Sequence, residues 1–210
     1  MVFEREFQRY GINNIVAYSA SDITDAMIDD AFKLDESFYK KEYSIENSQI
    51  REIVKEFGQI CFCLYDKKTK KMMGYSYWIP IKTSVFVDFI KKDEMLLNLN
   101  KEHCSNFNEA TVNLFSAGEA FFPGYDLDAI HKALEDIFQG KILVLAQRGV
   151  KVEYVAVEAV CAYDKEYLVK QLGLKRGTKK PNSQFFCDKY SPKTTYSRSI
   201  YKDELLQYYK

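Results

Sequence analysis

The sequence has no excess of charge of either sign. Its 210 residues include 30 Lys and Arg residues and 30 Asp and Glu residues, so the formal net charge is zero. Proteins that bind nucleic acid usually carry a basic excess that neutralises phosphates. We therefore predict no nucleic-acid partner. One local basic group, at Lys175, Arg176, Lys179 and Lys180, is interpreted as an ordinary solvated turn.

Long apolar runs are also missing. No uncharged apolar stretch approaches the ~20 residues that a transmembrane helix needs. The first residues, Met-Val-Phe-Glu-Arg-Glu-Phe, lack the basic region and apolar region of a secretory signal. These two absences predict a cytoplasmic protein with no membrane partner.

Cysteine is scarce and does not form a metal-binding pattern. The five cysteines are Cys61, Cys63, Cys104, Cys161 and Cys187, with no CxxC pair and no Cys/His metal spacing. We predict no metal site and interpret the thiols as small buried groups in a reducing compartment. Cys61 and Cys63 should share one face of a strand. A nucleophilic role for Cys161 is the less favoured alternative.

Glycine and proline are few, with 9 and 4 residues, and they form no linker. No internal repeat or low-complexity tract is visible either. We therefore predict a single domain over residues 1–210. Its core covers about 12–190, and residues 191–210 form a C-terminal tail.

Apolar periodicity predicts alternating strands and helices in the first half. The predicted elements are a strand Ile12–Tyr18, a helix capped by Ser21 or Asp22, a helix Asn47–Phe57, and a hairpin of Ile60–Tyr65 with Met72–Ile81. The segment 82–108 is mixed, with helical spacing at Val85, Phe86, Phe89 and Ile90.

The second half continues the alternation. The predicted elements are a strand Glu109–Ser116, a helix capped by Asp126 or Asp128, a continuation or third helix at Ile142–Arg148, a strand Val152–Val160, a helix Lys165–Leu172 ending at Gly173, and a strand Ser183–Tyr190. A hairpin followed by β-α-β-α-β predicts an α/β fold with a mixed sheet covered by helices.

This element order, together with three local stretches, resembles the GNAT N-acetyltransferase superfamily. Asp66–Tyr77 resembles the family's hairpin, Leu34–Tyr43 the segment between its first helices, and Lys170–Lys175 its late Gly-containing signature. The resemblance implies a mixed, mostly antiparallel sheet flanked by helices, in a divergent bacterial member. It also implies transfer of an acetyl group from acetyl-CoA to a small-molecule or peptide amine.

The family holds the CoA pyrophosphate on a loop with the pattern Q/R-x-x-G-x-G/A. The matching stretch is Phe121–Asp126, where Gly124 fits the first Gly but Phe121 and Asp126 depart from the pattern. Pro123 also removes one N–H donor. Asp126 either turns away to cap the following helix, leaving the Gly124 and Tyr125 N–H groups for phosphate, or it weakens or abolishes CoA binding.

The resemblance also implies roles for individual residues. A backbone N–H from Leu114, Phe115 or Ser116 would contact the thioester carbonyl, and the predicted cofactor-binding loop residues are Phe122, Gly124, Tyr125 and Asp126. Glu109 is the candidate general base and Glu119 a weaker one. Tyr163 is the candidate general acid, because Val169 stands where the family has its Tyr. His103 and His131 are interpreted as structural or solvent-facing.

Two functions therefore stay open. The first is an N-acetyltransferase whose acceptor site lies between the first helices, the hairpin and the segment 82–108. The second is a binding or sensing module that has the fold without CoA chemistry. The aromatic tail, with Tyr196, Tyr201, Tyr208 and Tyr209, is compatible with a homodimer.

Overall fold

The computed structural model describes residues 2–38, 45–91, 99–159, 175–179 and 184–189. Its strands are β1 (Val2–Phe3), β2 (Ile15–Ser19), β3 (Ile60–Asp66), β4 (Met72–Ile81), β5 (Thr111–Phe121), β6 (Lys151–Ala159), β7 (Lys175–Lys179) and β8 (Gln184–Lys189). They form one sheet in the order β1-β2-β3-β4-β5-β6-β8-β7. Neighbouring strands are antiparallel except β5 and β6, which are parallel. The prediction of a mixed, mostly antiparallel sheet is confirmed.

Helices cover both faces of this sheet. The α-helices of the described ranges are α1 (Arg5–Arg9), α2 (Asp25–Phe38), α3 (Asn47–Phe57), α4 (Thr83–Lys91) and α5 (Leu127–Gln147). On one face, which we call the α5 face, α1 and α5 pack over Phe62, Leu64 and Leu114. On the other, the α2 face, α2, α3 and α4 pack over Cys61, Ile79 and Phe115. Alternation along each strand supplies both apolar cores.

The hairpin and the second helix agree closely with the sequence predictions. The predicted helix Asn47–Phe57 is α3, and the predicted hairpin strands are β3 and β4. The helical spacing near Phe86 belongs to α4, and the stretch from Ile142 continues α5 rather than starting another helix. These segments combine strong periodicity with clear turn residues between them.

The first strand and helix lie further along the chain than predicted. The strand is Ile15–Ser19 rather than Ile12–Tyr18, and Ala20–Asp22 form a 3-10 turn. α2 therefore begins at Asp25 instead of directly after Ser21 or Asp22. Thr24 caps it, because its Oγ1 accepts the Met27 N–H at 3.3 Å.

The N-terminal residues belong to the core. Phe3 and Phe7 are 0% exposed and pack on the α5 face. Apolar packing therefore starts before Ile12, where the sequence placed the beginning of the core. The number of domains and the limits of the tail remain predictions.

Two of the strands predicted in the last third of the chain are present. The predicted strands appear as β6 (Lys151–Ala159) and β8 (Gln184–Lys189). The prediction of a turn at the basic group is wrong for its first part. Lys175–Lys179 form β7, a strand paired with β8. The predicted helix Lys165–Leu172 and Gly173 lie outside the described residues.

The cysteines on β3 behave as predicted. Cys61, Cys63 and Cys104 are buried, and the first two share the α2 face. Burial raises the pKa of the Cys63 thiol to about 12 and that of Cys61 further still. Both thiols are therefore protonated and inert at neutral pH. Among the described helices, none is long and apolar enough to cross a membrane.

Candidate functional site

Strands β5 and β6 separate part of the way along β5. Their parallel register runs from Thr111↔Lys151 to Ser116↔Val157. β5 continues to Phe121 paired with β4, and β6 continues paired with β8. Within the described residues, the β6-facing edge of β5 from Ala117 to Phe121 thus has no ladder partner. Such an edge offers backbone N–H and C=O groups to a ligand.

A β-bulge marks the point of separation. In the register with β4, Tyr77 pairs with Gly118 and Trp78 pairs with Ser116, so Ala117 is the extra residue. A bulge bends its strand and interrupts the ladder, which is why bulges occur often beside active sites. Here it directs the end of β5 away from β6.

The residues predicted to supply the carbonyl-binding N–H lie just before the bulge. Leu114, Phe115 and Ser116 are buried and lie where β5 is paired on both sides. The open edge begins one residue later, at Ala117. The strand continues to Phe121, beyond the predicted end at Ser116, and the carbonyl contact stays a prediction.

The loop 122–126 follows the open edge and leads into α5. Gly124 has φ of +105°, which favours glycine, and a Cβ built there meets nothing within 4 Å. Asp126 is the N-cap, and its Oδ1 accepts the Ala129 N–H at 3.0 Å. The prediction that Asp126 caps this helix is therefore confirmed. Phosphate binding by Gly124 and Tyr125 stays a prediction.

Aromatic rings flank the loop. Phe122 is 43% exposed, and its ring meets that of Phe38, at the end of α2, edge-on with centroids 6.2 Å apart. Tyr125 instead packs against the core of the α5 face. Of the two predicted cofactor-binding aromatics, Phe122 is thus the more accessible.

The predicted general base lies away from the strand split. Glu109 precedes β5, in an exposed turn where its Oε1 accepts the Asn106 N–H at 3.3 Å. The prediction that it begins the strand is wrong, because the turn at Asn106–Glu109 delays the strand to Thr111. This is the paired end of β5, opposite the split. Tyr163 and Cys161 lie outside the described residues.

The weaker candidate, Glu119, lies on the open part of β5. The Ser76 hydroxyl donates to its Oε2 at 2.7 Å, and the His131 Nε2 is 3.5 Å from its Oε1. His131 is 5% exposed, so it is buried as a structural histidine would be. The sequence did not connect these residues, because one is on β4, one on β5 and one on α5.

A cavity lies on the α2 face directly against the bulge. It is small and opens to solvent, and about 320 Å³ of space free of protein atoms lies in it and in the open solvent at its mouth. Phe32 and Asp35 of α2 form one wall, while Tyr75, Tyr77 and the bulged Ala117 form the floor. The sequence analysis assigned no role to Asp35 or Tyr75, because contact between α2 and β4 is not a local pattern.

Tyr75 connects the α2 wall of this cavity to its floor on β4. Its hydroxyl donates to Asp35 Oδ1, and its ring lies 4.8 Å from that of Tyr77. A Cβ at Gly118 would lie 3.0 Å from the Tyr75 hydroxyl oxygen, so glycine gives the phenol its place over β5. Burial raises the pKa of Tyr77 well above its usual value, so this phenol stays neutral.

Of the aromatic side chains predicted to shape the acceptor site from the segment 82–108, Phe86 is described, and it does not line this cavity. Phe86 is 3% exposed, and its ring packs 5.5 Å from that of Tyr154 on β6. Its role is therefore to fill the core of the α2 face. The side chains of Phe89 and Ile90 lie outside the described ones.

Sequence comparison gives no relative. No protein-family model matches the chain, and no curated protein matches it. The comparison of folds, in contrast, finds solved structures that align over nearly their whole length.

One similar structure is the loading GNATL domain of CurA from Lyngbya majuscula, with a TM-score of 0.59, 13% identity, and coverage of 84% of this chain and 98% of that one. Another is the NatC complex bound to Gag peptide and CoA, with a TM-score of 0.57, 10% identity, and coverage of 85% and 99%. A third is the GNAT-like decarboxylase GphF in complex with isobutyryl-CoA, with a TM-score of 0.55, 12% identity, and coverage of 82% and 98%. With its split sheet and bulged strand, the chain has the GNAT fold.

Proposed function

We propose that this chain transfers an acyl group, in the simplest case acetyl, from acyl-CoA to an amine. The observation that carries the proposal is the split between β5 and β6, which opens beside a Gly-containing loop and the N-terminus of α5. Two proteins of the same fold have CoA or isobutyryl-CoA in their structures. That likeness supports the donor class.

The loop and α5 fit the phosphates of CoA. The first N–H groups of a helix have no intrahelical partner, and the helix dipole adds about half a positive charge at this end. Gly124 leaves open space at the loop. The Asp126 carboxylate is engaged by the Ala129 N–H, which turns it toward the helix. We assign the phosphates to the backbone of Gly124, Tyr125 and Leu127.

The open edge of β5 fits the remainder of the donor. The pantetheine arm of CoA contains amide groups that can pair with an unpaired strand edge as an added strand would. Alternate backbone N–H groups between Ala117 and Phe121 face this edge, where the described residues give them no ladder partner. An N–H beside the bulge would also polarise the thioester carbonyl.

The acceptor amine is assigned to the cavity on the α2 face. The nitrogen attacks the thioester carbon, a C–N bond forms, the C–S bond breaks, and the thiolate takes up a proton. The cavity touches Ala117, so an amine held there reaches the end of the open edge. Tyr163 as general acid and Glu109 as general base remain predictions.

The test measures unfolding of the protein with acetyl-CoA and with desulfo-CoA. A ligand at about 100 times its Kd adds about 2.7 kcal/mol to the free energy of unfolding. We expect this stabilisation in the wild type and a larger one in Asp126→Asn. Asparagine keeps the cap but removes a negative charge near the phosphates. Asp128→Asn is the charge-matched control, because Asp128 lies two residues after Asp126 in the first turn of α5.

A second candidate function, the binding or sensing module, is favoured by one observation. Pro123 removes an N–H donor, and Asp126 keeps a carboxylate at the loop. Stabilisation in Asp126→Asn without any in the wild type would support this module. No stabilisation in either protein would overturn the acyltransferase proposal.

A further inference from the structure

Two side chains on the open part of β5 contact the same residue of α5. Glu119 and Phe121 are two positions apart on the strand, so both project onto the α5 face. The Glu119 Oε1 atom lies 3.5 Å from the Nε2 atom of His131, in the second turn of α5. The Phe121 ring meets the same imidazole edge-on, with centroids 5.2 Å apart. His131 is 5% exposed, so the imidazole is enclosed where the strand and the helix meet.

Strand β4 holds the other oxygen of the Glu119 carboxylate. Ser76 is the cross-strand neighbour of Glu119, and its hydroxyl donates to Glu119 Oε2 at 2.7 Å. Ser76 is 2% exposed and lies on a central strand of the sheet. A hydrogen bond to a carboxylate is roughly twice as strong as one between neutral groups. The carboxylate therefore connects the sheet to α5 through its two oxygen atoms.

These contacts join the two ends of the loop 122–126. Glu119 precedes the loop along the chain, and His131 follows it. Gly124 lies between them with a φ of +105° and adds conformational freedom to this part of the backbone. Joining the ends reduces the number of conformations that the loop can adopt. The N–H groups of the loop thereby keep a fixed position relative to the open edge of β5.

We propose that Glu119 and His131 are positioning residues, which together with Ser76 hold the loop 122–126 against the open edge of β5. We call these contacts the β5–α5 tie. Taking the loop and the edge as two parts of one CoA site rests on the proposed function. A ligand that spans both parts binds tightly when they are correctly spaced beforehand, because ordering them on binding costs free energy. Glu119 projects onto the face opposite the acceptor cavity, which fits this role better than that of a general base.

The first test sets two effects of opposite sign against each other at Glu119. CoA is an anion, so removing a nearby carboxylate should by charge alone strengthen its binding. Losing the tie should weaken it. We expect Glu119→Ala to raise the Kd of desulfo-CoA about tenfold, measured by calorimetry on the full chain. Glu119→Gln should leave the Kd unchanged or lower it, because glutamine keeps an oxygen that accepts the serine hydroxyl.

Two results would overturn the proposal. One is a Kd that stays the same or falls in Glu119→Ala, which would show that the carboxylate acts through its charge alone. The other is equal weakening by the alanine and glutamine variants, since the conservative replacement should restore the tie.

A second variant tests the tie without changing its charge. Ser76→Ala removes the hydroxyl that holds Glu119 Oε2, and we expect the Kd of desulfo-CoA to rise about fivefold. Ser19→Ala is the matched control, because Ser19 is also a buried serine of the sheet. Its hydroxyl donates to the Gln59 carbonyl at 3.3 Å, on strand β2, which is separated from β5 by two strands. The control should change the Kd by less than about twofold, and equal effects of the two variants would contradict the assignment.

Amide hydrogen exchange measures the tie without any ligand. We expect the amides of residues 117–127 to exchange about tenfold faster in Glu119→Ala than in the wild type. Those of the β3–β4 hairpin should change by less than about twofold. An equal increase in both regions would indicate a general loss of stability and would contradict the proposal.

The outcomes separate the two proposals. Faster exchange confined to 117–127, in a protein that does not bind desulfo-CoA, keeps the tie and removes the acyltransferase. Binding of desulfo-CoA that Glu119→Ala does not weaken keeps the acyltransferase and removes this inference.

Discussion

The two faces of the sheet differ in how completely their helices fill the space above the strands. On the α5 face, Phe3, Phe7 and Ile137 are 0% exposed, and helix α5 lies along the sheet over 21 residues. On the α2 face, α2 and the sheet leave a small cavity beside the bulge, which opens to solvent. The filled face should therefore contribute more to stability at a buried ring than the face with the cavity does.

The faces also differ in how deeply their helix carboxylates are buried. The α5 face buries Glu6 and Asp136, at 2% and 7% exposure, between α1 and α5. The α2 face keeps its helix carboxylates near solvent, where Asp25 and Asp29 form ion pairs with Arg51. Buried charge costs stability, while exposed ion pairs contribute little. Stability should therefore respond to pH mainly through the α5 face.

The largest expected effect comes from truncating a phenylalanine on each face. Phe7→Ala should lower the free energy of unfolding by about 3–5 kcal/mol, because the ring is completely buried. Phe32→Ala should lower it by only about 1 kcal/mol, because its ring is partly exposed and already borders empty space. Urea unfolding followed by circular dichroism measures both values.

Ligand binding gives the opposite order for the same pair. Phe32→Ala should raise the KM for the acceptor amine of the proposed reaction, and Phe7→Ala should leave that KM unchanged under conditions where the protein is folded. Equal stability losses in the two variants would remove the distinction between a filled face and a face with a cavity.

A smaller effect is expected at Lys141, on the α5 face. Its side chain is partly buried, its Nζ lies 5.4 Å from the Phe3 ring centroid, and burial lowers its pKa to about 8. Because the folded pKa is below the unfolded value of 10.5, the protonated amine destabilises the fold. This cost is complete below about pH 8 and disappears as the pH rises toward 10.5.

Lys141→Met should therefore stabilise the protein by about 1–2 kcal/mol at pH 7 after the loss of the cation–π contact is included. The gain should shrink between pH 8 and pH 9.5. Lys132→Met, at an exposed position of the same helix, is the control and should have little effect. A gain that is independent of pH would assign the effect to packing of the methionine.

The sequence predicted those parts of the fold that depend on local patterns. The helix Asn47–Phe57 and the hairpin around 66–71 follow from periodicity and turn residues over short distances. The Asp126 cap could also be predicted from the sequence, because a capping carboxylate and the N–H group that donates to it lie three residues apart.

The cavity could not be predicted in this way. Asp35 and Tyr75 are 40 residues apart, and only the packing of α2 on β4 brings them together. The bulge at Ala117 depends equally on its partner strand, since the extra residue appears only in the register with Tyr77 and Trp78. Glu109 was misplaced for the related reason that the turn before β5 has no strong signal of its own.

The smallest expected effect concerns Glu6, the most buried carboxylate on the α5 face. The Oε2 atom of Glu6 has no hydrogen-bond partner among the described residues. Burial raises its pKa, helped by the nearby Asp136 carboxylate. Because the folded pKa lies above the unfolded value, ionisation of Glu6 destabilises the fold. Stability should fall as the pH rises from the unfolded value of about 4.5 through the folded pKa.

Glu6→Gln removes this ionisation while keeping the shape of the side chain. The variant should be more stable than the wild type at pH 7, and the difference should vanish near pH 4, where both chains are neutral at this position. Urea unfolding at intervals between pH 4 and pH 8 measures the difference. Glu4→Gln is the control, because Glu4 lies at the surface in an ion pair with Lys67. If Glu4→Gln produced the same pH dependence, the buried charge between α1 and α5 would not distinguish this face of the sheet from the other.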